Sequence, residues 1–141
     1  MIDLFLDTDV AFDFISGREP FGTHSKKILL LHNSQEVSFS ISSCSILNLI
    51  YLSSQTYKLI NWENKLNAFL RSCLWLDTSK ETFFKAMLSP IKDKEDAVQY
   101  FTALEGEFDY FLTRNKKDYQ SISHSIEVIS PTEFLELRGK A

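Results

Sequence analysis

The sequence predicts an α/β fold of three layers, in which helices cover both faces of a central parallel sheet of about four or five strands. Short apolar runs typical of buried strands alternate with longer segments whose apolar residues recur at helical spacing. Polar residues follow several of these runs, where the strands of such a sheet open onto a ligand crevice. No internal repeat or linker interrupts the pattern, so we expect a single domain over residues 1–141.

Composition indicates a soluble globular protein. Hydrophobic residues make up 44% of the chain and charged residues 24%. The formal net charge of −4 argues against wholesale coating of nucleic acid, although a local basic rim around an acidic, metal-filled centre remains compatible with it. Cys44 and Cys73 are not at metal-binding spacing and are expected to be reduced thiols. The acidic N-terminus and the lack of an apolar run of about 18 residues predict a cytoplasmic protein without membrane contact.

The first strand-like run ends in acidic residues. Ile2–Leu6 is apolar and stops at Asp7, and a helical pattern begins at Val10. Asp9 is a candidate N-cap for that helix, which gives it a structural explanation. Asp7 has a weaker one, because an unpaired carboxylate at the end of a buried strand is costly unless a cation or hydrogen-bond donors meet it.

The remaining strands and helices continue the alternation. Residues 37–41 alternate apolar side chains with serines, and the helix after Ser45 is predicted to be well buried. Asn48 interrupts that helix, and an asparagine there is more often solvent-facing or hydrogen-bonded than functional. Thr78 and Glu81 fit a capping box that opens a further helix. The other predicted elements are helices at 25–33 and 62–74, strands at 74–76 and 126–129, and a terminal helix beginning at 130–133 with proline in its first turn.

The rest of the chain is organised around residues 93–119. Asp93 and Asp96 begin a helix three residues apart, so their carboxylates share one face. A separate apolar stripe on this helix can pack against the sheet, which leaves the two acids free. A short buried strand at 110–112 follows, and after it comes a polar loop that runs to Asp118.

Four acids are therefore expected to converge at the carboxyl edge of the sheet, namely Asp7, Asp93, Asp96 and Asp118. Carboxylates held close together repel one another, which favours either protonation or a bound cation. Oxygen ligands suit Mg²⁺ or Mn²⁺ rather than zinc, and such a site activates water and neutralises charge on a phosphodiester. The alternative is that acids at helix starts only complement the helix macrodipole.

Four segments resemble the motifs of a PIN domain, in the same order and with comparable spacing. They are LDTDV at 6–10, KEDAVQYFTAL at 94–104, DYFLTRNKKDY at 109–119 and ISPTEFL at 129–135. The resemblance covers essentially the whole chain. It implies an α/β/α fold with a parallel sheet and, as in many PIN domains, a Mg²⁺- or Mn²⁺-dependent ribonuclease. This family includes the VapC-type toxins of bacterial toxin–antitoxin pairs.

The resemblance also implies a metal site with Mg²⁺ or Mn²⁺ as cofactor. Asp7 resembles the family's first metal-binding acid and Asp96 the acid that opens its long helix. Asp93 is an additional nearby acid, seen in a similar DFED pattern. Asn115 and Asp118 together occupy the place of the last acidic position, and either one is a candidate match.

Two positions depart from the family pattern. Many members have a glutamate in a pattern such as S-x-x-E after the second strand, where this chain has Asn48 three residues after Ser45. An amide coordinates a cation through its oxygen but brings no charge, so metal affinity should fall. Asp9 replaces the asparagine usual in DTN, which restores one charge close by.

Two functional classes follow from the resemblance. In the first, the protein is a metal-dependent endoribonuclease, such as the toxin of a toxin–antitoxin pair, in which Asp7, Asp96 and Asp118 hold the ion. Asp93 or Asp9 assists through a bound water. In the second, the protein is a catalytically weak or inactive PIN-like module that binds RNA or protein.

The expected partners are RNA, an antitoxin protein and a second copy of the chain. The basic residues Arg114, Lys116 and Lys117 would meet RNA phosphates, although a solvated loop explains them equally well. The homodimer is expected because the PIN toxins that the chain resembles commonly dimerise. The chain's 12 Phe, 2 Trp and 5 Tyr also exceed what a core of this size needs.

Overall fold

The computed structural model describes residues 1–122 and 125–139, and within these ranges five parallel strands form one sheet in the order β3-β2-β1-β4-β5. The strands span Ile2–Leu6 (β1), Val37–Ser42 (β2), Cys73–Leu76 (β3), Tyr110–Leu112 (β4) and Glu127–Ile129 (β5). The chain builds outward from β1 in both directions, so the strand order reverses between β1 and β4. Ligands of open α/β sheets bind at the carboxyl ends of the strands at such a switch point.

Seven α-helices in the described part of the chain flank this sheet. They span Thr8–Ser16 (α1), Gly22–Asn33 (α2), Ser45–Tyr51 (α3), Trp62–Ser72 (α4), Lys80–Leu88 (α5), Lys94–Ala103 (α6) and Pro131–Leu137 (α7). A π-helical turn, Leu52–Thr56, continues α3, and a 3₁₀ turn, Lys116–Tyr119, follows β4. Over the residues described, none of the helices has the length and apolar character needed to cross a bilayer.

The alternation of side chains along β1 divides the core into two parts. Leu4 and Leu6 pack with α1, α2, α4 and α7 on one face of the sheet. Phe5, which lies between them in sequence, packs with α5 and α6 on the other face. All three side chains are fully buried, which explains why the strand is an unbroken apolar run. The predicted three-layer α/β/α architecture with a parallel sheet is confirmed.

Two predicted helix caps are wrong. Asp7, not Asp9, caps α1, because the helix begins directly after β1 and the Asp7 carboxylate accepts the first helical amide at 2.9 Å. Ser79, not Thr78, caps α5. The Thr78 hydroxyl instead lies 2.7 Å from the Thr102 hydroxyl on α6, so it ties two elements together.

The helix after Ser45 is less buried than predicted. In α3, Leu49 is fully buried, but Leu47 is 74% exposed. The edge strand β3 and α5 also have exposed apolar side chains. We call this group of residues the apolar edge and define it by Leu47, Tyr51, Trp75, Phe84 and Met87, all more than half exposed. Apolar spacing identifies such helices but does not show which of their faces another layer covers.

Candidate active site

Asp7 lies at the carboxyl end of β1, and its side chain is held by three hydrogen bonds. Asp7 is only 2% exposed. The Thr8 amide donates to Oδ1 at 2.9 Å, and the hydroxyls of Thr113 and Tyr119 donate to Oδ2 at 2.8 and 2.9 Å. A carboxylate oxygen accepts about two hydrogen bonds. Oδ2 is therefore saturated, and Oδ1 keeps one position for a further ligand.

The two hydroxyl donors reach Asp7 because the sheet pairing continues past the ends of the strands. The Asp7 amide donates to the Leu112 carbonyl at 2.9 Å, and the Thr113 amide donates to the Ile129 carbonyl at 3.0 Å. Thr113 is thus fixed beside Asp7 at the end of β4. Tyr119 comes from the end of the 3₁₀ turn and is fully buried.

Asp96 and Asp118 lie next to Asp7. Asp93 is the N-cap of α6, and its carboxylate accepts the Asp96 amide at 3.1 Å. Asp96 therefore lies in the first helical turn, where burial and the nearby carboxyl groups of Asp7, Asp93 and Asp118 raise its pKa. Asp118 lies in the 3₁₀ turn. Asp7, Asp93, Asp96 and Asp118 thus lie in one neighbourhood, but within the described ranges no three acidic, His or Cys side chains are close enough to hold a metal ion.

Two of these carboxyl groups have strongly raised pKa values. Burial, followed by the negative charge of Asp9, raises the pKa of Asp7 to about 7 against the lowering effect of its hydrogen bonds. Burial, followed by the charges of Asp7 and Asp93 and by contact with Asp118, raises the pKa of Asp96 to about 8. In the described part of the chain, neither Asp7 nor Asp96 forms an ion pair with a lysine or arginine. Carboxyl groups crowded in this way either retain protons or bind a cation.

Asp9 belongs to a neighbouring network. Its Oδ2 accepts a hydrogen bond from Asn115 Nδ2 at 3.3 Å and lies 3.9 Å from Arg114 Nε. The stronger partner of Arg114 is Asp13, whose Oδ2 is 2.9 Å from the same Nε. The Arg114 guanidinium also lies over the Phe21 ring at 3.8 Å. Arg114 is therefore engaged within the protein rather than extended toward solvent.

The other two basic residues predicted to meet RNA lie in different surroundings. Lys116 forms an exposed ion pair of 3.0 Å with Glu133 at the start of α7. Lys117 lines an open cavity of about 600 Å³ together with Lys92 and Asp118. Lys117 is therefore the predicted contact that lies beside the acids, and Lys92 joins it from the loop before α6.

A family model described as PIN domain matches residues 3–117, which is most of the chain. The chain belongs to the PIN domain family. No match to the chain was found among curated proteins.

This PIN domain is also similar to solved structures. One is VapBC2 from Rickettsia felis bound to a DNA fragment from their promoter, with a TM-score of 0.67 and 18% identity over 92% of this chain and 98% of that chain. Another is DNA-bound VapBC from Salmonella typhimurium, with a TM-score of 0.65 and 17% identity over 93% of this chain and 99% of that chain. At these identities the likeness shows a shared fold.

Asn48, which departs from the family pattern, contacts the helix that carries Asp96. The Asn48 Nδ2 donates to Glu95 Oε2 at 3.4 Å and so links α3 to the first turn of α6. No hydrogen bond in residues 1–122 and 125–139 joins Asn48 to Asp7 or Asp96. The carboxylate of Glu95 thus lies next to the Asn48 side-chain amide. The sequence analysis did not predict Glu95 as a residue of the site.

The structure also separates the two candidates for the last acidic position. Asp118 lies beside Asp96, whereas the Asn115 side chain lies beside Asp9. The backbone N–H of Asn115 also donates to Thr113 Oγ1 at 3.1 Å, which helps to fix the loop. The geometry therefore favours Asp118 as the acid of the site.

Sequence reasoning missed the groups that hold Asp7. Thr113 and Tyr119 are 106 and 112 residues away from Asp7 in sequence. Asp13, which binds Arg114, was also missed, because it lies within the helical pattern of α1. The sequence offered one local signal for these donors, since the hydroxyl side chains of Thr113 and Tyr119 stand at the two ends of the polar loop after β4.

Proposed function

We propose that this PIN domain is a Mg²⁺- or Mn²⁺-dependent endoribonuclease that acts as the toxin of a toxin–antitoxin pair. The observation that carries the proposal is the convergence of Asp7, Asp96 and Asp118 at the switch point of the sheet. Two of the three have pKa values raised to about 7 and about 8. A site that crowds carboxylates at this cost to stability is expected where those carboxylates have a chemical task.

The donor chemistry fits a hard divalent cation. All the converging atoms are carboxylate oxygens, which Mg²⁺ and Mn²⁺ prefer. Asp7 Oδ1 keeps one acceptor position, while Asp96 and Asp118 come from a helix start and a turn. Within the described ranges no three acidic, His or Cys side chains are already close enough to enclose an ion, so binding requires the carboxylates to move closer together.

When bound, such an ion would lower the pKa of a water molecule and offset charge on the phosphodiester. The residues of the chain divide the remaining tasks. Thr113 and Tyr119 hold Asp7 in one orientation through Oδ2, which leaves an acceptor position on Oδ1. Lys117 and Lys92 flank the open cavity beside Asp118, where they would attract RNA phosphates. Arg114 would not meet these phosphates, because it is engaged with Asp13 and Phe21.

We also propose an antitoxin partner and a homodimer for this chain. The two similar structures are named as VapBC complexes bound to DNA, and by analogy this chain would pair with an antitoxin. The apolar edge supports at least one protein partner, since large exposed apolar patches mark protein–protein contacts. Light scattering checks the dimer, and a monomeric mass at high concentration would argue against it.

One observation favours the second functional class, a weak or inactive module. Asn48 supplies no charge where many PIN domains have a glutamate, and its amide is hydrogen-bonded to Glu95. With one carboxylate fewer, the affinity for a divalent cation falls. A module of this kind would bind RNA or a protein without cleaving RNA.

Cleavage of RNA by the purified chain separates the two classes. Labelled single-stranded RNA is incubated with Mg²⁺, with Mn²⁺ or with a chelator, using the wild type, Asp96→Asn and Asp77→Asn. Asp77 is an exposed aspartate after β3 and serves as the matched control. Metal-dependent cleavage that Asp96→Asn abolishes and Asp77→Asn retains supports the nuclease. Binding of RNA without cleavage under every metal condition supports the module.

A further inference from the structure

A cavity of about 370 Å³ is lined in part by Asn115, whose side-chain amide donates to Asp9. Its walls are the middle of α1, the start of α2, the loop after β4 and the start of α7. Its lining includes Asp13, Phe21, His24, Arg114, Asn115 and Thr132. The volume falls within the range of small-ligand sites in proteins. The acids of the proposed metal site, Asp7, Asp96 and Asp118, are not among the residues that line the cavity.

The wall of this cavity contains a buried hydrogen-bond acceptor. Asp13 is 1% exposed, and its Oδ2 lies 2.9 Å from Arg114 Nε. Its other oxygen, Oδ1, is buried and has no hydrogen-bond partner among the described residues. Buried polar atoms in native proteins are nearly always paired, so this carboxylate oxygen is open to a hydrogen-bond donor. The Nε atoms of Arg114 and Arg18 are buried donors that also lack a hydrogen-bond partner among the described residues.

The same wall contains a flat, rigid, charged group. The guanidinium of Arg114 lies 3.8 Å from the centre of the Phe21 ring, and its Nε forms the ion pair with Asp13. Arg18 approaches the same ring at 5.8 Å. Proteins that recognise unpaired RNA bases stack them on aromatic rings or guanidinium planes and hydrogen-bond their edges. Arg114 and Asp13 together provide both kinds of contact in one cavity.

The cavity is also connected to the acids. Asn115 lines the cavity, and its side-chain amide donates to Asp9 at 3.3 Å. Asp9 follows Asp7 by two residues in the sequence. We propose that the cavity binds one unpaired nucleotide of the RNA, through a base whose exocyclic amino group donates to Asp13. This inference rests on the proposed nuclease function and names a determinant of its sequence preference.

The chemistry of Asp13 predicts which bases fit. Adenine, cytosine and guanine each have an exocyclic amino group that can donate to the free Oδ1. Uracil has none, and its ring N–H is flanked by two carbonyl oxygens that a carboxylate would repel. An amino-bearing base is therefore expected next to the scissile phosphate, and uracil is expected to be disfavoured there.

The test measures nucleotide binding in the presence of a chelator, so that it does not depend on hydrolysis. AMP, CMP, GMP and UMP are titrated into the full chain, and the ring protons of His24, which lines the cavity, are followed by NMR. The amino-bearing nucleotides should bind about tenfold more tightly than UMP, because one hydrogen bond to a charged acceptor is at stake.

A cavity-filling variant provides the matched comparison. Asp13→Asn breaks the ion pair with Arg114 and can unfold α1, so it cannot be the only variant. Thr132→Trp fills the cavity from its rim, while Leu137→Trp places the same ring on the exposed part of α7. Thr132→Trp should abolish nucleotide binding, and Leu137→Trp should leave it unchanged.

Equal binding of all four nucleotides, or binding that survives Thr132→Trp, would overturn the proposal. So would binding of N-acetylarginine amide in place of the nucleotides, since the cavity would then take a protein side chain. Nucleotide binding by a chain that cleaves no RNA would leave the cavity assignment intact and remove the nuclease. Metal-dependent cleavage without nucleotide binding would retain the nuclease and remove the cavity assignment.

Discussion

The phenol of Tyr119 donates a hydrogen bond of 2.9 Å to Oδ2 of Asp7, the first acid of the site. Burial and the nearby carboxylates raise the pKa of Tyr119 far above its ordinary value, so its hydroxyl stays protonated and remains a donor. Thr113 donates to the same oxygen at 2.8 Å. These two hydroxyls leave the other oxygen of Asp7 for the proposed metal.

Removing the Tyr119 hydroxyl should weaken metal binding while preserving the fold. In Tyr119→Phe the ring keeps its contacts with Tyr100 and Phe111, so the free energy of unfolding should fall by only ~1 kcal/mol. Asp7 loses a donor that favours its charged form, so its pKa should rise and Mn²⁺ should bind more weakly near neutral pH. Calorimetric titration with Mn²⁺ at about pH 7 measures the change.

Tyr110→Phe is the matched control, since Tyr110 is a half-buried tyrosine of β4 at the opposite end from the site. It should leave the Mn²⁺ affinity unchanged. If Tyr119→Phe binds Mn²⁺ as tightly as the wild type does, the phenol does not position Asp7 for the metal.

The raised pKa values of Asp7 and Asp96 predict an unusual dependence of stability on pH. Between about pH 4 and the folded pKa values of about 7 and about 8, the folded chain holds protons that the unfolded chain releases. The free energy of unfolding contributed by these groups is therefore fully present below about pH 4 and is lost as pH rises through this window. Urea unfolding with a chelator present should give a lower midpoint at about pH 8 than at about pH 5.

Adding Mn²⁺ and substituting Asp7 should each reduce this loss of stability at high pH. Mn²⁺ at about pH 8 should raise the midpoint, because a ligand of the folded state stabilises it. Asp7→Asn should flatten the pH profile, because the amide does not titrate and its oxygen can still accept from Tyr119. A wild-type profile that is flat or rises from about pH 5 to about pH 8 would show that these carboxyl groups are not crowded as described.

The sequence predicts some parts of this site better than others. The strand Ile2–Leu6 is buried on both faces of the sheet, so its sequence is an unbroken apolar run. The end of that run predicted that Asp7 lies at the edge of the sheet. The sequence did not predict whether Asn115 or Asp118 lies beside Asp96, because the 3₁₀ turn after β4 determines this. The exposure of Leu47 depends on the neighbours of α3 rather than on its spacing.

The two loop lysines should differ in their effect on RNA binding. Lys117 lines the cavity beside Asp118, whereas Lys116 is paired with Glu133 at 3.0 Å. Lys117→Ala should weaken RNA binding and reduce the slope of log affinity against log salt by about 1. Lys116→Ala, its neighbour and control, should change the slope less. Equal losses from both variants would place the RNA along the outside of the loop instead.

The last prediction concerns the missing glutamate at Asn48. Asn48→Glu places a second carboxylate where the amide now donates to Glu95 at 3.4 Å, so the two charges should repel one another without a cation. We expect lower stability with a chelator but tighter Mn²⁺ binding, since affinity follows the number of charged ligands. Adding Glu95→Gln should restore stability by giving the new glutamate an amide partner.

Calorimetry with Mn²⁺ and cleavage of single-stranded RNA are measured together on these variants. Asn48→Glu with Glu95→Gln should show tighter Mn²⁺ binding and faster cleavage, and adding Asp96→Asn should abolish both. If Asn48→Glu is destabilised and its Mn²⁺ affinity is unchanged, residue 48 lies outside the metal site. The hydrogen bond to Glu95 would then serve only to connect α3 to α6. Asn48 would no longer be a reason to regard the chain as a weakened nuclease.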